Sequence, residues 1–394
     1  MYALILIVFV DTVGFGIVLP LLPLYAQKFG ASPEMVTLVA VSFTFGQAVF
    51  GPFWGWISDR LGRKPVLLLT ITGTLCAYIL LAFSSSLVIL FIVRFLAGAM
   101  AANMSVAHAL VADITRAEDR TRNIARLSGA AGLGFVAGPA IGGLLAGVDA
   151  GGSVFLLPYL AAAVFSAIAL ILTLILIRES VTSDRKERAR VSYGLDTWRS
   201  ALAHGQTRLI LFLSLLPPFV FAGIEVIIVL WSERAWGWGP LQNGYFYAWM
   251  GACHVVIQWV LIGPLARWMG EKILITFGAF SLGMGVLLMP LAGDQILLYF
   301  AAFLMIFGTS SCASPLSSLL SQYADPASRG SVLGLGQAFA GSGRIVGPAL
   351  AGFVFASVGI DWPFYFGAAT MVIMALGSRF ILVKRASDIA SEDP

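Results

Sequence analysis

Charged side chains are scarce in this sequence. They make up only 11% of the 394 residues, whereas soluble domains average about 25%. A chain with so few charges cannot cover a folded surface with polar groups, which excludes an ordinary soluble protein. Hydrophobic residues make up 59% of the chain, and this places it among integral membrane proteins.

Residues that bind metals or perform catalysis are also few. The three cysteines lie in apolar runs without CxxC spacing, so they predict neither a disulfide framework nor a zinc site. The three histidines are far apart and no HExxH motif occurs, which disfavours a membrane enzyme. A GxxxxGK[ST] loop is also absent, which disfavours ATP-driven transport. We therefore predict no metal, no cofactor and no enzymatic activity.

Long apolar runs dominate the chain instead. A membrane-spanning helix needs ~20 apolar residues, and a series of such runs follows, which we number as spans 1 to 12. They cover residues 2–25, 35–57, 66–84, 87–110, 123–147, 153–177, 207–231, 240–263, 273–292, 294–319, 331–356 and 360–383. The first run has no basic n-region and is too long for a signal peptide, so we predict a retained helix.

The basic residues of the loops indicate the orientation of the chain. If both termini lie on one side, most Lys and Arg fall in the loops of that side, and the opposite side has only Lys28 and Arg234. By the positive-inside rule both termini are cytoplasmic. We predict a multi-pass protein of the cell inner (plasma) membrane. Because this orientation accounts for the basic charge of the chain, we predict no nucleic-acid partner.

Short sequences recur in the second half of the chain. Each recurrence comes about 209 residues later. The matched segments are Gly62-Arg63-Lys64 with Gly270-Glu271-Lys272, Arg120 with Arg329, and Gly138-Pro139-Ala140 with Gly347-Pro348-Ala349. Since six spans per copy is an even number, both copies have the same orientation, as in a two-bundle transporter with a parallel internal repeat.

The polar stretch 178–206 separates these two halves. We predict an N-terminal six-helix bundle at 1–177, a cytoplasmic linker at 178–206, a C-terminal six-helix bundle at 207–384 and a cytoplasmic tail at 385–394.

A charged turn joins spans 2 and 3. Its sequence, GWISDRLGRKP, runs from Gly55 to Pro65. At this point the chain resembles the major facilitator superfamily, whose signature between these helices is G-x-x-x-D-R-x-G-R-[RK]. The resemblance implies that Asp59 lies near the N-terminus of span 11 and joins a charge network that holds the cytoplasmic side shut. The residues of this predicted latch are Gly55, Asp59, Arg60, Gly62, Arg63, Lys64, Asp113 and Arg120. An ordinary charged turn is the alternative.

Two further segments narrow the resemblance. The DTVGFG sequence that starts at Asp11 and the ADIT sequence that starts at Ala112 resemble the tetracycline and multidrug proton antiporters. Span 5 is similar to a motif associated with exporters of the superfamily. Its residues are Gly134, Gly138, Pro139, Gly142 and Gly143. Glycines at this spacing let a neighbouring backbone approach closely, although simple packing would use the same spacing.

Ionisable residues inside the spans are Asp11, Arg94, Glu225 and Arg344. Each is costly in hydrocarbon and should face a cavity or a partner. Arg94 begins an RFLAG sequence that resembles the arginine motif tied to proton transfer in drug antiporters. Asp11 and Glu225 lie in the equivalent spans 1 and 7. We predict proton-coupling roles for Asp11, Arg94 and Glu225, with structural roles as the alternative.

Other polar residues are candidates for the substrate cavity or for coupling. His254 and Gln258 lie one turn apart in span 8 and match polar positions of the tetracycline exporters. Because histidine titrates near physiological pH, His254 is the fourth proton-coupling candidate, and a structural hydrogen bond is the alternative. The cavity candidates are Gln47, Asn103, His108, Gln258 and Arg344.

The sequence also departs from the tetracycline exporters. Those proteins carry a carboxylate in span 3 and another in span 9, where this chain has Ala77 and Leu282. This difference disfavours tetracycline as the substrate.

The predicted function is secondary active transport, with proton-coupled efflux of drugs or small amphipathic metabolites by alternating access. An importer or symporter of a small metabolite would use the same fold without the exporter-like span 5. A membrane scaffold or receptor is the alternative outside transport, but it has no use for buried ionisable residues. The predicted partners are a small-molecule substrate, protons and the lipid bilayer, and a monomer is compatible with this function.

Overall fold

A computed structural model describes residues 1–101, 103–147, 154–179, 199, 201–324 and 329–382. Most of the predicted linker and all of the predicted tail lie outside these described residues.

The regular structure of the described residues is helical. The bounds of the helices are Tyr2–Val18, Leu22–Lys28, Pro33–Leu61, Arg63–Ala82, Leu87–Met100, Asn103–Ile114, Ala117–Ala146, Leu156–Leu176, Gly205–Trp236, Pro240–Val256, Ile262–Met269, Glu271–Leu288, Gln295–Tyr323, Arg329–Ser357 and Trp362–Ser378, with a π-helical segment at Ile257–Leu261. Eleven spans in this part of the chain are long and apolar enough to cross a membrane, and Trp362–Ser378 is a shorter apolar helix. The prediction of an all-α membrane fold is confirmed.

Three spans are interrupted where the sequence predicts continuous helices. Span 1 turns between Val18 and Leu22, span 4 breaks after Met100, and span 8 contains the π-helical segment Ile257–Leu261. Ala101, at the break in span 4, has a non-helical backbone (φ −79°, ψ 45°). Apolar side chains predominate around each interruption, so hydropathy gives no signal of them.

Side chains of span 2 satisfy the backbone at the break in span 4. The indole Nε1 of Trp54 donates to the Ala99 carbonyl at 2.6 Å, and the Gln47 amide donates to the Ala101 carbonyl at 3.2 Å. Carbonyls freed by a helix break need such partners inside a membrane. The break is therefore held by side chains from a neighbouring helix.

Glycines bring the backbones of spans 2 and 4 into contact. A Cβ added at Gly98 would overlap the Phe43 carbonyl, and one added at Gly46 would lie 2.5 Å from the Phe95 carbonyl oxygen. Small residues at helix contacts are typical of membrane proteins, in which close packing replaces the hydrophobic effect.

The internal repeat is visible in the packing. In span 5 a Cβ added at Gly138 would lie 2.6 Å from the carbonyl oxygen of Val13 in span 1. In span 11 a Cβ added at Gly347 would overlap the carbonyl of Phe219 in span 7. Equivalent glycines therefore make equivalent contacts in the two copies, as the parallel repeat predicts.

The chain forms two compact units. The first contains Met1–Arg190, Glu225–Val255 and Ala351–Ile360, and the remaining residues form the second. Spans 7, 8 and 11 are each divided between the units. The division into bundles at 178–206 stays a prediction.

Gly46→Ala should destabilise the protein, because the added methyl would meet backbone atoms of span 4 that cannot move independently. Overpacking of this kind costs roughly 1–3 kcal/mol. The matched control is Gly51→Ala in the same helix, where an added Cβ meets no described atom within 4 Å. Thermal unfolding in detergent should give a lower Tm for Gly46→Ala than for Gly51→Ala. Equal melting temperatures would contradict the close contact.

Candidate functional site

The turn between spans 2 and 3 depends on a glycine. Gly62 has φ +112° and lies between the last residue of one helix and the first residue of the next. Side-chain-bearing residues rarely adopt this conformation. Gly62 therefore lets two long helices meet without an intervening loop, and this places Asp59 and Arg63 side by side.

Arg63 is the centre of the charged cluster at this turn. Its Nη2 lies 2.6 Å from Oδ1 of Asp59, its Nε donates to Oδ2 of Asp113 at 2.9 Å, and its Nη1 donates to Oγ of Ser58 at 2.6 Å. The side chains of Arg63 and Asp113 are 9% and 4% exposed. Breaking a buried ion pair by removing one partner costs roughly 3–5 kcal/mol, so the Arg63–Asp113 pair ties span 4 firmly to this turn.

Glu179 also binds this turn. Its carboxylate accepts hydrogen bonds from the backbone N–H groups of Arg63 at 2.9 Å and Lys64 at 3.1 Å. The N-terminus of a helix carries unsatisfied N–H groups and a partial positive charge, which a carboxylate stabilises. This role of Glu179 is not predicted from the sequence, although an acidic residue just beyond the last apolar residues of span 6 is a signal of it.

The structure also locates other residues of the predicted latch. Lys64 donates through Nζ to the Leu174 carbonyl at 2.8 Å, and Arg60 lies over the Trp56 ring, 4.0 Å from its centroid. The side chain of Arg120 lies outside the described residues. The contact of Asp59 with span 11 stays a prediction.

A second polar cluster joins spans 1, 3 and 4 inside the first unit. The Asn103 amide donates from Nδ2 to Oδ2 of Asp11 at 3.0 Å. Oγ1 of Thr70 lies 2.5 Å from Oδ1 of Asn103. The other carboxylate oxygen of Asp11, Oδ1, is buried and has no hydrogen-bond partner among the described residues. Within the described residues, therefore, only one of the two carboxylate oxygens of Asp11 accepts a hydrogen bond.

Arg94 is buried near this cluster, with 3% exposure. Its guanidinium lies over the ring of Phe43, 4.5 Å from the centroid, a geometry that stabilises a cation. Its Nε has no hydrogen-bond partner among the described residues. The phenol of Tyr78 is within electrostatic range of both Arg94 and Asp11.

The remaining polar candidates lie in different surroundings. In the first unit the Glu225 carbonyl accepts a hydrogen bond from the Tyr247 hydroxyl, and His254 is exposed. His108 has a buried Nε2 without a partner in the described part of the chain. In the second unit, which also contains Arg344, Gln258 donates to Oγ of Ser314 at 3.2 Å.

The glycines of span 5 face two neighbours. Gly134, Gly138 and Gly142 face span 1, where an added Cβ on Gly142 would lie 2.7 Å from the Ile17 carbonyl oxygen. Gly143 instead faces Gly244 of span 8. A Cβ added at Gly244 would lie 2.6 Å from the Pro139 carbonyl oxygen.

This second contact of span 5 extends to the end of the helix. The N–H of Leu241 donates to the Gly147 carbonyl at 3.1 Å, and a Cβ added at Gly251 would lie 2.8 Å from the carbonyl oxygen of Phe135. Inside the first unit, spans 5 and 8 are therefore in backbone contact over several turns.

The sequence model of the Major Facilitator Superfamily matches residues 4–296 and 246–393. The chain belongs to this superfamily. It is therefore a membrane transporter and not an enzyme, as the sequence predicts.

Individual members of the superfamily are similar over most of their length. Tetracycline resistance protein, class D, of Salmonella ordonez is 29% identical over 356 residues, which cover 89% of this chain and 88% of that protein. Multidrug resistance protein 2 of Bacillus subtilis (strain 168) is 24% identical over 389 residues, which cover 98% and 95%. The predicted similarity to these superfamily members is confirmed.

Solved structures of the superfamily support the same fold. The structure of the nucleoside transporter NupG superposes with a TM-score of 0.79 over 98% of this chain and 99% of that chain, at 15% identity. At this identity the likeness shows the fold alone.

Asp59→Asn should impair transport several-fold while expression and membrane insertion stay nearly normal. The Asp59 side chain is 34% exposed. The change removes this more accessible partner of Arg63 and leaves the buried contact with Asp113 in place, so the stability cost should be about 1 kcal/mol or less. Substrate flux and cysteine accessibility from the cytoplasmic side measure the effect, and we expect higher accessibility.

The matched control is Asp294→Asn, because Asp294 caps span 10 by accepting from the N–H of Leu297 and asparagine caps equally well. The control should transport normally. Normal flux in Asp59→Asn as well would refute the latch.

Proposed function

We propose that this protein exports drugs or small amphipathic metabolites from the cytoplasm in exchange for protons, by alternating access. It would lie in the cell inner membrane with both termini in the cytoplasm. The observation that carries the proposal is the buried polar cluster at Asp11. Ionisable groups within a membrane cost free energy and typically mark ion or proton pathways, and here one carboxylate oxygen is buried without a hydrogen bond among the described residues.

The surroundings of Asp11 support a coupling role. Arg94 and Tyr78 lie in the same unit, and Tyr78 is within electrostatic range of both ionisable residues. A carboxylate that gains and loses a proton changes its interaction with these neighbours. Binding of a proton can therefore alter the balance between conformations, which is the requirement for coupled transport.

The proposed direction of transport, which is export, is based on similarity to known proteins. The relatives named above are described as resistance proteins for tetracycline or for multiple drugs, and resistance of this kind is consistent with export. The likeness to a nucleoside transporter concerns the fold and favours neither direction.

The substrate should differ from tetracycline. Ala77 and Leu282 stand where the tetracycline exporters carry carboxylates. Ala77 is 4% exposed and Leu282 is 0% exposed. A Cβ added at Gly308 of span 10 would overlap the backbone N of Leu282, so spans 9 and 10 are in close contact there. Neither position offers a polar contact, which favours a neutral or cationic lipophilic compound.

Asp11→Asn and Glu225→Gln should separate coupling from binding, because both preserve shape and neither can release a proton. At least one variant should lose accumulation driven by a pH gradient and keep equilibrium exchange. One pH unit supplies about 1.4 kcal/mol for each coupled proton. Uptake of a compound panel into inside-out vesicles, with and without the gradient, measures both activities. Asp11→Glu keeps a titratable group and serves as the control. Full accumulation in both neutral variants would place the proton carrier elsewhere.

Wild-type protein should confer little tetracycline resistance and should export one or more lipophilic, neutral or cationic compounds. The double variant Ala77→Asp/Leu282→Asp should not gain tetracycline export and should lose stability, because it buries two carboxylates at close helix contacts. Resistance assays and vesicle transport measure the first result, and thermal unfolding measures the second. Efficient tetracycline export by the wild type would contradict the proposed substrate class.

A further inference from the structure

Three polar side chains from three spans form one hydrogen-bonded row: Asp11, Asn103 and Thr70. We propose that Asn103 and Thr70 are positioning residues that hold Asp11 both with and without its proton, by exchanging the two ends of the Asn103 amide. The inference rests on the proposed function, in which Asp11 carries a proton.

The described geometry suits the charged carboxylate. Nδ2 of Asn103 donates to Oδ2 of Asp11, and Oδ1 of Asn103 accepts from the Thr70 hydroxyl. A carboxylate has no proton to donate, so the amide must present its NH₂ group to Asp11. This orientation leaves the amide oxygen for Thr70, whose hydroxyl is then the donor.

A proton on Oδ1 of Asp11 would have no acceptor among the described residues, whereas a proton on Oδ2 can donate to Asn103, and this placement reverses the order of the row. The O–H on Oδ2 would donate to the amide oxygen of Asn103, and the NH₂ group would donate to Oγ1 of Thr70. The hydroxyl proton of Thr70 would then need another acceptor. The Val66 carbonyl lies 2.9 Å from Oγ1 and the Leu67 carbonyl lies at 3.2 Å, so an acceptor is already in place.

Each contact in the row therefore remains a hydrogen bond in both states. The two ends of an amide have nearly the same size, so the exchange requires no extra space among buried side chains. Asn103 is 8% exposed and Thr70 is 0% exposed, so water does not readily replace these bonds. An aspartate or a leucine at position 103 would satisfy at most one of the two states.

The other neighbours of Asp11 add few titratable groups. The phenol of Tyr78 in span 3 is within electrostatic range of Asp11, and Arg94 of span 4 is within range of Tyr78. Span 5 meets span 1 through glycines such as Gly134, and span 6 meets it at the Ala162 carbonyl and through the phenol ring of Tyr159, which packs 5.1 Å from that of Tyr25. The hydrogen-bond donor to the carboxylate within the described residues is thus Asn103.

The exchange is testable by infrared spectroscopy of the full chain in lipid bilayers. The carbonyl stretch of the protonated carboxyl group is followed over a pH series, and the band that Asp11→Asn removes is assigned to Asp11. Because the signal is a difference from Asp11→Asn, titration of other groups, such as His108, does not enter the assignment.

Two variants should move the titration midpoint in opposite directions. Asn103→Leu removes a charge-assisted bond to the carboxylate and a weaker one to the acid, so the midpoint should rise by about one pH unit, a tenfold change in proton affinity. Thr70→Val removes one bond from the charged state and two from the protonated state, so the midpoint should fall by a fraction of a unit.

Two conservative variants act as controls. Thr70→Ser keeps the hydroxyl and should leave the midpoint unchanged. Thr72→Val removes an exposed hydroxyl from the same helix, where Thr72 donates to the Leu68 carbonyl at 2.7 Å, and it should also have no effect. If Asn103→Leu does not fold, the comparison of Thr70→Val with Thr70→Ser still decides the question.

Midpoints that stay in place, or that move in the same direction in both variants, would overturn the exchange. The experiment needs neither substrate nor a gradient, so it is independent of the transport assay. If Asp11→Asn still accumulates substrate, the proposed coupling role fails. Opposite shifts of the titration midpoint in Asn103→Leu and Thr70→Val would nevertheless establish the two hydrogen-bonded states of Asp11.

Discussion

A polar group inside a membrane must find its partner within the protein, because hydrocarbon offers no hydrogen bonds. This constraint explains the arrangement of the first unit. The interrupted backbone of span 4 receives donors from Gln47 and Trp54, Asp11 receives the amide of Asn103, and Arg94 lies against the ring of Phe43. In each case the group that stabilises the polar atom comes from a different part of the chain, so the helices are held in one register.

Close backbone contact is the second condition for these bonds, since short side chains reach across only where helices nearly touch. Glycines provide the contact between spans 2 and 4 at Gly46 and Gly98, and between spans 1 and 5 at Gly138. The Gly347 contact in the second copy repeats the latter arrangement. Gly138 and Gly347 therefore lie at corresponding helix crossings of the two copies.

The sequence predicts the features that depend on local composition and misses those that depend on distant partners. Hydropathy gives the spans, and the charged turn gives the family. The break at Ala101 leaves no local signal, because its stabilising donor, Gln47, lies in another span. The same reason explains why Glu179 and Thr70 were missed: each acts on a residue that is remote in sequence or on another helix. Asn103 was named as a cavity residue, and its contact with Asp11 became apparent only from the fold.

One helix carries a residue of each polar cluster. The described helix Asn103–Ile114 lies beyond the non-helical residue Ala101 in span 4, and its first residue bonds to Asp11. Near its other end, Asp113 pairs with Arg63 at the charged turn. A helix of this length extends about 18 Å, and its hydrogen-bonded backbone joins the two clusters along that length. The proposed proton site and the proposed latch therefore share one helix.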